Sequence, residues 1–172
     1  MAKKFRLLLL DANIIIELFY QEIWDRLLAS CDVHLSRTIA DVEAHFYLDD
    51  QEERHDFDLS SYEESGAITV FDVTLAQDAE LTKHFGLAYL ERFDPGEREA
   101  LAHLVTSSEP YLICSADSIV FKVLGFLSCG EQGISLEEIL QQAGLGRQLC
   151  WKFSKAFREK YTREGFVDNL KK

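Results

Sequence analysis

The sequence has no pair of cysteines at two-residue spacing, and no apolar run exceeds the four residues Leu7 to Leu10. Its four cysteines (Cys31, Cys114, Cys129, Cys150) stand far apart, which excludes a ribbon-type zinc site and argues against a disulfide scaffold in a chain of 172 residues. They are expected to be reduced packing residues. A membrane-spanning helix needs about 20 consecutive apolar residues, so no membrane association is expected. Asp11 interrupts the apolar stretch nearest the start, so no secretory leader is expected and the cytoplasm is the default location. The five histidines (His34, His45, His55, His84, His103) form no ligand spacing. Trp24 and Trp151 are expected to be core or interface aromatics rather than base-stacking platforms.

Positive charge is also scarce. The chain has 18 Lys and Arg against 30 Asp and Glu, a net charge of −12. The deficit is uneven. From Arg147 onward there are eight Lys and Arg against three acids, +5, so the remainder, with ten bases and 27 acids, carries −17. An acidic body with a basic tail suggests a polyanionic partner at one end. Taken alone, the tail also fits a solvated amphipathic helix.

What is present is a globular composition, 47% hydrophobic and 12% aromatic, sufficient for a sizeable core. Arg6 to Leu10 is expected to be a strand buried on both faces of a parallel sheet. Asn13 to Leu28 shows helical spacing at Ile16, Phe19, Ile23 and Leu27, as one helix or two. Val33 to Leu35 is a short strand, and Thr38 with Asp41 opens a helix running from Ile39 to about Leu48. The next stretch, Asp49 to Ser65, holds eight acids and few apolar residues, and is expected to be an exposed loop or a poorly ordered insertion.

Ile68 to Val73 is then a strand and Leu75 to His84 a helix. Pro95 at a first helical position, with Asp94 as cap, opens a helix to about Thr106. Tyr111 to Cys114 is the next buried strand, followed by a helix over Ser118 to Leu127. Gln132 to Ile134 is a candidate edge strand, and Ser135 with Glu138 forms a capping box for a helix ending at Gly144. A last helix, about Arg147 to Arg163, places Leu149, Phe153, Phe157 and Tyr161 on one stripe. Strands alternating with helices predict an α/β fold of three layers, α/β/α, around a mostly parallel sheet, with C-terminal helices added. Sites in such sheets form beyond the carboxyl ends of the strands, where the strand order reverses.

Four acids stand at telling positions: Asp11 directly after the first strand, Glu43 among apolar neighbours in "IADVEAHF", Glu97 in the first turn of the Pro95 helix, and Asp117 three residues after the Tyr111 strand. Singly, each has a structural explanation as a strand end, a helix cap, an exposed helical acid or a macrodipole partner. Together they are harder to dismiss. Two like charges about 4 Å apart repel by about 4 kcal/mol at an effective dielectric near 20, so a cluster of four calls for a compensating cation. Oxygen donors without a cysteine or histidine set select Mg²⁺ or Mn²⁺.

In series these residues resemble the PIN-domain nucleases, including their toxin-type ribonucleases. Asp11-Ala12-Asn13 matches the motif that ends the family's first strand. Glu43 in "RTIADVEAHF" matches the glutamate on a helix after the second strand. Glu97 in "DPGEREALAHL" matches the Gly-Glu pair that opens a helix. Ser115-Ala116-Asp117 in "YLICSADSIVF" matches the Thr-x-Asp-like step after the fourth strand. The resemblance covers about Arg6 to Leu127.

It implies divalent-metal-dependent hydrolysis of single-stranded RNA, commonly as the toxin of a toxin–antitoxin pair. Asp11, Glu43, Glu97 and Asp117 would bind the metal, and Asn13 and Ser115 would brace them. The nuclease domain would span 1–130; the acidic insertion at 49–65 and the helical extension over 131–172 with its basic tail stand outside the family's minimal pattern. Ser115 replaces the usual Thr. Ala116 stands where some members carry a further acid, which speaks against a strong second metal site.

Two enzyme classes with Asp after a first parallel strand fit less well. Aspartyl phosphatases want a second Asp where this chain has Asn13, and response-regulator receivers want a lysine that "YLICSAD" does not offer. A non-catalytic PIN-like domain that binds a metal or a protein is the remaining alternative. In the tail, Lys152, Lys155 and Arg163 are candidate nucleic-acid contacts. The apolar stripe of the terminal helix would instead serve an antitoxin-like protein or a second copy of the chain in a homodimer.

Overall fold

The computed structural model describes residues 6–171. Phe5, at the head of the opening apolar stretch, and Lys172, the last cation of the tail, lie outside them. The strands are β1 (Arg6–Leu10), β2 (Cys31–Ser36), β3 (Phe46–Leu48), β4 (Arg54–Asp56), β5 (Ile68–Phe71) and β6 (Leu112–Cys114). The helices are α1 (Ala12–Tyr20), α2 (Trp24–Ser30), α3 (Ser60–Glu64), α4 (Leu75–Thr82), α5 (Leu87–Leu90), α6 (Pro95–Thr106), α7 (Ser118–Phe126), α8 (Leu136–Gln142) and α9 (Lys155–Leu170).

Four strands form a parallel sheet in the order β5-β2-β1-β6. β1 is central and its side chains alternate between two cores. Leu8 and Leu10 join α1, α2 and α8 on one face, and Leu9 joins α6 and α7 on the other. This is the expected α/β fold with helices on both faces of the sheet. Among the described residues, no helix is long and apolar enough to cross a membrane. The chain steps outward from β1 through β2 to β5, then returns to place β6 on the opposite side of β1. The strand order therefore reverses between β1 and β6, where parallel sheets open a crevice at the strand ends.

Four expectations are corrected. The helix from Ile39 to about Leu48 does not form. A single π-helical turn, Ile39–Glu43, replaces it and gives way to β3, which pairs antiparallel with β4. The acidic stretch is accordingly not a loose loop but a hairpin arm and a short helix. Its anchor is aromatic: Phe57 stacks on Phe19 of α1 with ring centroids 3.9 Å apart, and Tyr20 donates a hydrogen bond to Asp50. At Gln132 to Ile134, the expected edge strand is reduced to one parallel bridge between Gly133 and Ile113 beside a 3₁₀ turn, Gly130–Gln132.

The terminal helix begins later than expected, at Lys155, and Trp151–Phe153 is a separate 3₁₀ turn ahead of it. Phe153 and Phe157 are buried in the chain's own two cores, so they are not free to bind a partner. α9 crosses α7 at very short range. A Cβ on Gly165 would fall 1.9 Å from the Lys122 carbonyl oxygen, and one on Gly125 would fall 1.9 Å from that of Thr162. Around this crossing, Arg158 grips Glu138 of α8 through two bonds of 2.8 and 2.9 Å, and Lys122 pairs with Glu164 at 3.1 Å.

In an exposed helix interior, Gly→Ala gains about 1 kcal/mol. At this crossing the sign should reverse. Gly165→Ala is expected to cost about 3 kcal/mol through overpacking and to lower the melting temperature by roughly 10 °C. A melt followed by circular dichroism that leaves the variant at the wild-type temperature would show that the crossing yields more readily than its geometry implies.

Candidate functional site

Asp11 leaves β1 at the reversal of strand order, and its backbone N–H donates to the Cys114 carbonyl at 3.1 Å, tying the ends of β1 and β6 together. The register Leu10↔Cys114 sets Asp11 beside Ser115. The Ser115 hydroxyl donates to Asp11 Oδ2 at 3.1 Å and accepts the Asp117 N–H at 2.9 Å. This buried serine therefore ties the Asp11 carboxylate to the Asp117 backbone. Although Asp11 precedes α1, its side chain makes no capping bond there. Asp117 does act as a cap: its Oδ1 accepts the Ile119 N–H at 3.0 Å.

Glu97 arrives from the first turn of α6. It is 1% exposed; Oε2 accepts the Asp94 N–H at 3.3 Å, and Oε1 is buried without a hydrogen-bond partner. Glu43, half-buried at the end of the π-helical turn, accepts the Gly96 N–H at 3.0 Å. The π turn thus seats a carboxylate on the N-terminus of a 12-residue helix, a favourable place for negative charge. Only glycine suits position 96, because a Cβ there would meet Glu43 Oε2 and Ile39 Cγ1, each at 2.4 Å.

The electrostatics link all four acids. Burial, more than any neighbouring charge, lifts the Asp11 carboxyl from 3.8 to about 6; the Ser115 hydroxyl and the Ala12 N–H oppose the rise, the Glu43 charge adds to it, and the Asn13 side chain opposes it. Glu97 is lifted from 4.5 to about 9, first by burial and then by the charges of Asp11 and Asp117. Glu43 is raised mainly by burial, against the Gly96 N–H, with Asp94 and Glu99 adding repulsion. Nearby cations do not relieve this. Arg37 is bound to Glu63 at 3.0 and 3.1 Å, and Arg98 to Asp78 at 2.6 and 2.7 Å. Among the described residues, no lysine or arginine pairs with any of the four acids.

Two acids of this centre escaped the sequence reading. Asp94 was expected only as a cap, and Glu99 was not singled out. Glu99 faces the Glu43 side of the site, where it accepts hydrogen bonds from the Thr38 hydroxyl at 2.7 Å and the Thr38 N–H at 3.4 Å. The run "DPGERE" carried the signal, since three acids within six residues at a helix start leave at least one facing inward.

The donors are oxygens, one of them orphaned and buried, which suits Mg²⁺ or Mn²⁺. The four acids do not, however, bring three ligand atoms within 4.8 Å of one another. Among the described residues, the group that does so is Asp49, Glu53 and His55 on the hairpin. There His55 Nε2 lies 2.8 Å from Asp49 Oδ2, and hydrogen bonds from His55 and the Glu53 and Gln51 amides hold the Asp49 carboxyl below its usual range. That triad sits on the exposed surface of a turn that Asp49 itself organises. Mg²⁺ keeps several waters and takes only one or two carboxylates directly, so the buried centre fits such an ion without three preset ligands.

In the tail, Lys152 lies in the 3₁₀ turn, its ammonium 5.0 Å from the Phe153 ring centroid. Lys155 opens α9 and pairs with Glu159 at 3.7 Å. Arg163 is exposed in the open groove between α7 and α9. No family model, curated protein or solved structure matches the chain, and no family is assigned to it.

Proposed function

We propose that the protein is a divalent-metal-dependent endoribonuclease that hydrolyses phosphodiester bonds of single-stranded RNA, as the PIN-domain nucleases it resembles do. The observation that carries this reading is Glu97: a buried carboxyl at the reversal of strand order, with one oxygen unpartnered and with Asp11 and Asp117 near enough to raise its pKa. A purely structural acid would have been given a lysine, an arginine or a second donor. Asp11 and Glu97 would hold Mg²⁺ or Mn²⁺, with Asp117 and Glu43 beside them. A cation held there eases ionisation of a water and offsets the charge that builds on the phosphodiester.

The chain's own residues do the positioning. Ser115 fixes the spacing of Asp11 and Asp117. The α7 cap commits one oxygen of Asp117 and leaves the other to the site. The Gly96 N–H aims Glu43. One observation favours a second reading, a metal- or protein-binding module without catalysis: Glu43 and Asp117 each spend an oxygen on a helix N-terminus.

Incubation of the protein with labelled single-stranded RNA, in Mg²⁺, Mn²⁺ or EDTA, separates the two. Cleavage with either cation and none in EDTA is the expected result. Intact RNA under all three conditions would overturn the nuclease reading.

A further inference from the structure

Of the two tryptophans expected to be core or interface aromatics, Trp24 is buried but Trp151 is 52% exposed, although a tryptophan is the side chain a fold gains most by burying. Its ring stands nearly perpendicular to Phe157 at 4.9 Å, and the Lys160 ammonium lies over it, 5.5 Å from the ring centroid. Lys160 is equally close to Tyr161, at 5.0 Å. No acid pairs with Lys160 or Lys152 among the described residues, in a chain whose net charge is −12. These cations are therefore left uncompensated on a molecule rich in carboxylates, beside an exposed aromatic face.

We infer that Trp151, with Lys152 and Lys160, is a stacking platform for a base of single-stranded nucleic acid, corresponding to part of the substrate's path to the acidic centre. A base in a duplex hides its faces, so a flat exposed ring selects unpaired strands. The exchange is favourable, because stacking a base on an aromatic ring contributes more than a surface cation–π contact does. Lys160 can move from ring to phosphate while a base takes its place. Trp151 stands edge-on to Phe157, Phe157 meets Phe121 edge-on at 6.1 Å, and Phe121 lies one helical turn after Asp117 in α7.

The choice of RNA rests on the nuclease reading, so the experiment measures binding in EDTA, where cleavage plays no part. Fluorescein-labelled oligouridylate of about a dozen nucleotides is titrated with the full chain and followed by anisotropy and by tryptophan emission. Trp24 is buried at 2% exposure, so RNA-dependent quenching reports Trp151. Quenching is expected, with affinity about tenfold weaker in Trp151→Ala and close to wild type in Trp151→Phe, which keeps an aromatic face. Replacing Lys152 and Lys160 together by Gln should flatten the plot of log affinity against log salt by about 1.4, at roughly 0.7 per phosphate contact.

Wild-type affinity in Trp151→Ala, or RNA binding without quenching, would overturn the platform even if cleavage stands. A Trp151→Ala variant that changes only sedimentation behaviour would assign the face to a second copy of the chain, and the proposal would fall.

Discussion

Replacing Asp11 by Asn is expected to lower cation-dependent cleavage by about a hundredfold or more, the scale of removing one preorganised charge from a site, without unfolding the protein. In EDTA the variant should melt at or above the wild-type temperature. The displacement of Asp11 from 3.8 to about 6 means that its ionised form is disfavoured by about 3 kcal/mol. At pH 7.5 the wild type carries that charge buried and unpaired. Asn keeps an oxygen to accept the Ser115 hydroxyl and removes the charge.

Added cation should then stabilise the wild type, by about 3 kcal/mol at a hundred times the dissociation constant, and the variant much less. Asp117→Asn should lose cleavage equally while keeping its cap, since Asn caps helices as well as Asp does. Differential scanning fluorimetry in EDTA and in Mn²⁺ reads both variants. A clear drop for Asp11→Asn in EDTA would make its carboxylate a structural group and remove it from the site.

The second large effect is on stability as a function of pH. Glu97 binds its proton more tightly in the native state than when unfolded, with its pKa raised from 4.5 to about 9. Between those values the native chain holds a proton that the unfolded chain has lost, so the stability of the cation-free protein falls as pH rises, by at most about 1.4 kcal/mol per pH unit. Asp11 adds a slope of the same sign between 3.8 and about 6. Carboxylates with lowered values, such as Asp78 beside Arg98, contribute the opposite slope, but only at acid pH.

Between pH 7 and 8 Glu97 dominates, because His103, lowered by burial, acts at more acid pH and the buried thiols of Cys114 and Cys129, raised by burial, act at more alkaline pH. Urea titrations in EDTA should show the wild type losing stability across that window, and Glu97→Gln, whose amide oxygen can still accept the Asp94 N–H, losing far less. Cation binding must displace the Glu97 proton, so calorimetry in buffers of different ionisation heat should show close to one proton released at pH 7. A flat wild-type profile with no proton release would place Glu97 outside the cation site.

Much of this architecture follows from local sequence, because it depends on local rules. The run Arg6–Leu10 is apolar at every position after its first, as only a strand covered on both faces allows, and it forms β1 over those same residues. The Ser135/Glu138 box starts α8 and Pro95 starts α6, since caps and proline act on the turn they occupy. Asp11, Ser115 and Asp117 were legible because a parallel strand delivers whatever follows it to the same edge of the sheet.

The tertiary structure decided the rest. Helical propensity over 39–48 lost to a hairpin whose support comes from Phe19 stacking on Phe57, and no window around Glu43 contains that contact. Glu99 joined the acidic centre because Thr38, 61 positions earlier, holds it there. Periodicity showed that the last helix has an apolar face but not what that face meets. The glycines at 125 and 165 decided that, by letting the backbones of α7 and α9 touch. Trp151 was left outside because Phe153 and Phe157, its neighbours along and around the turn, had already filled the two cores. Spacing along a chain fixes which residues share an element and a face; which surfaces meet, and which ring stays in water, is settled only when the volumes of all the elements are packed together.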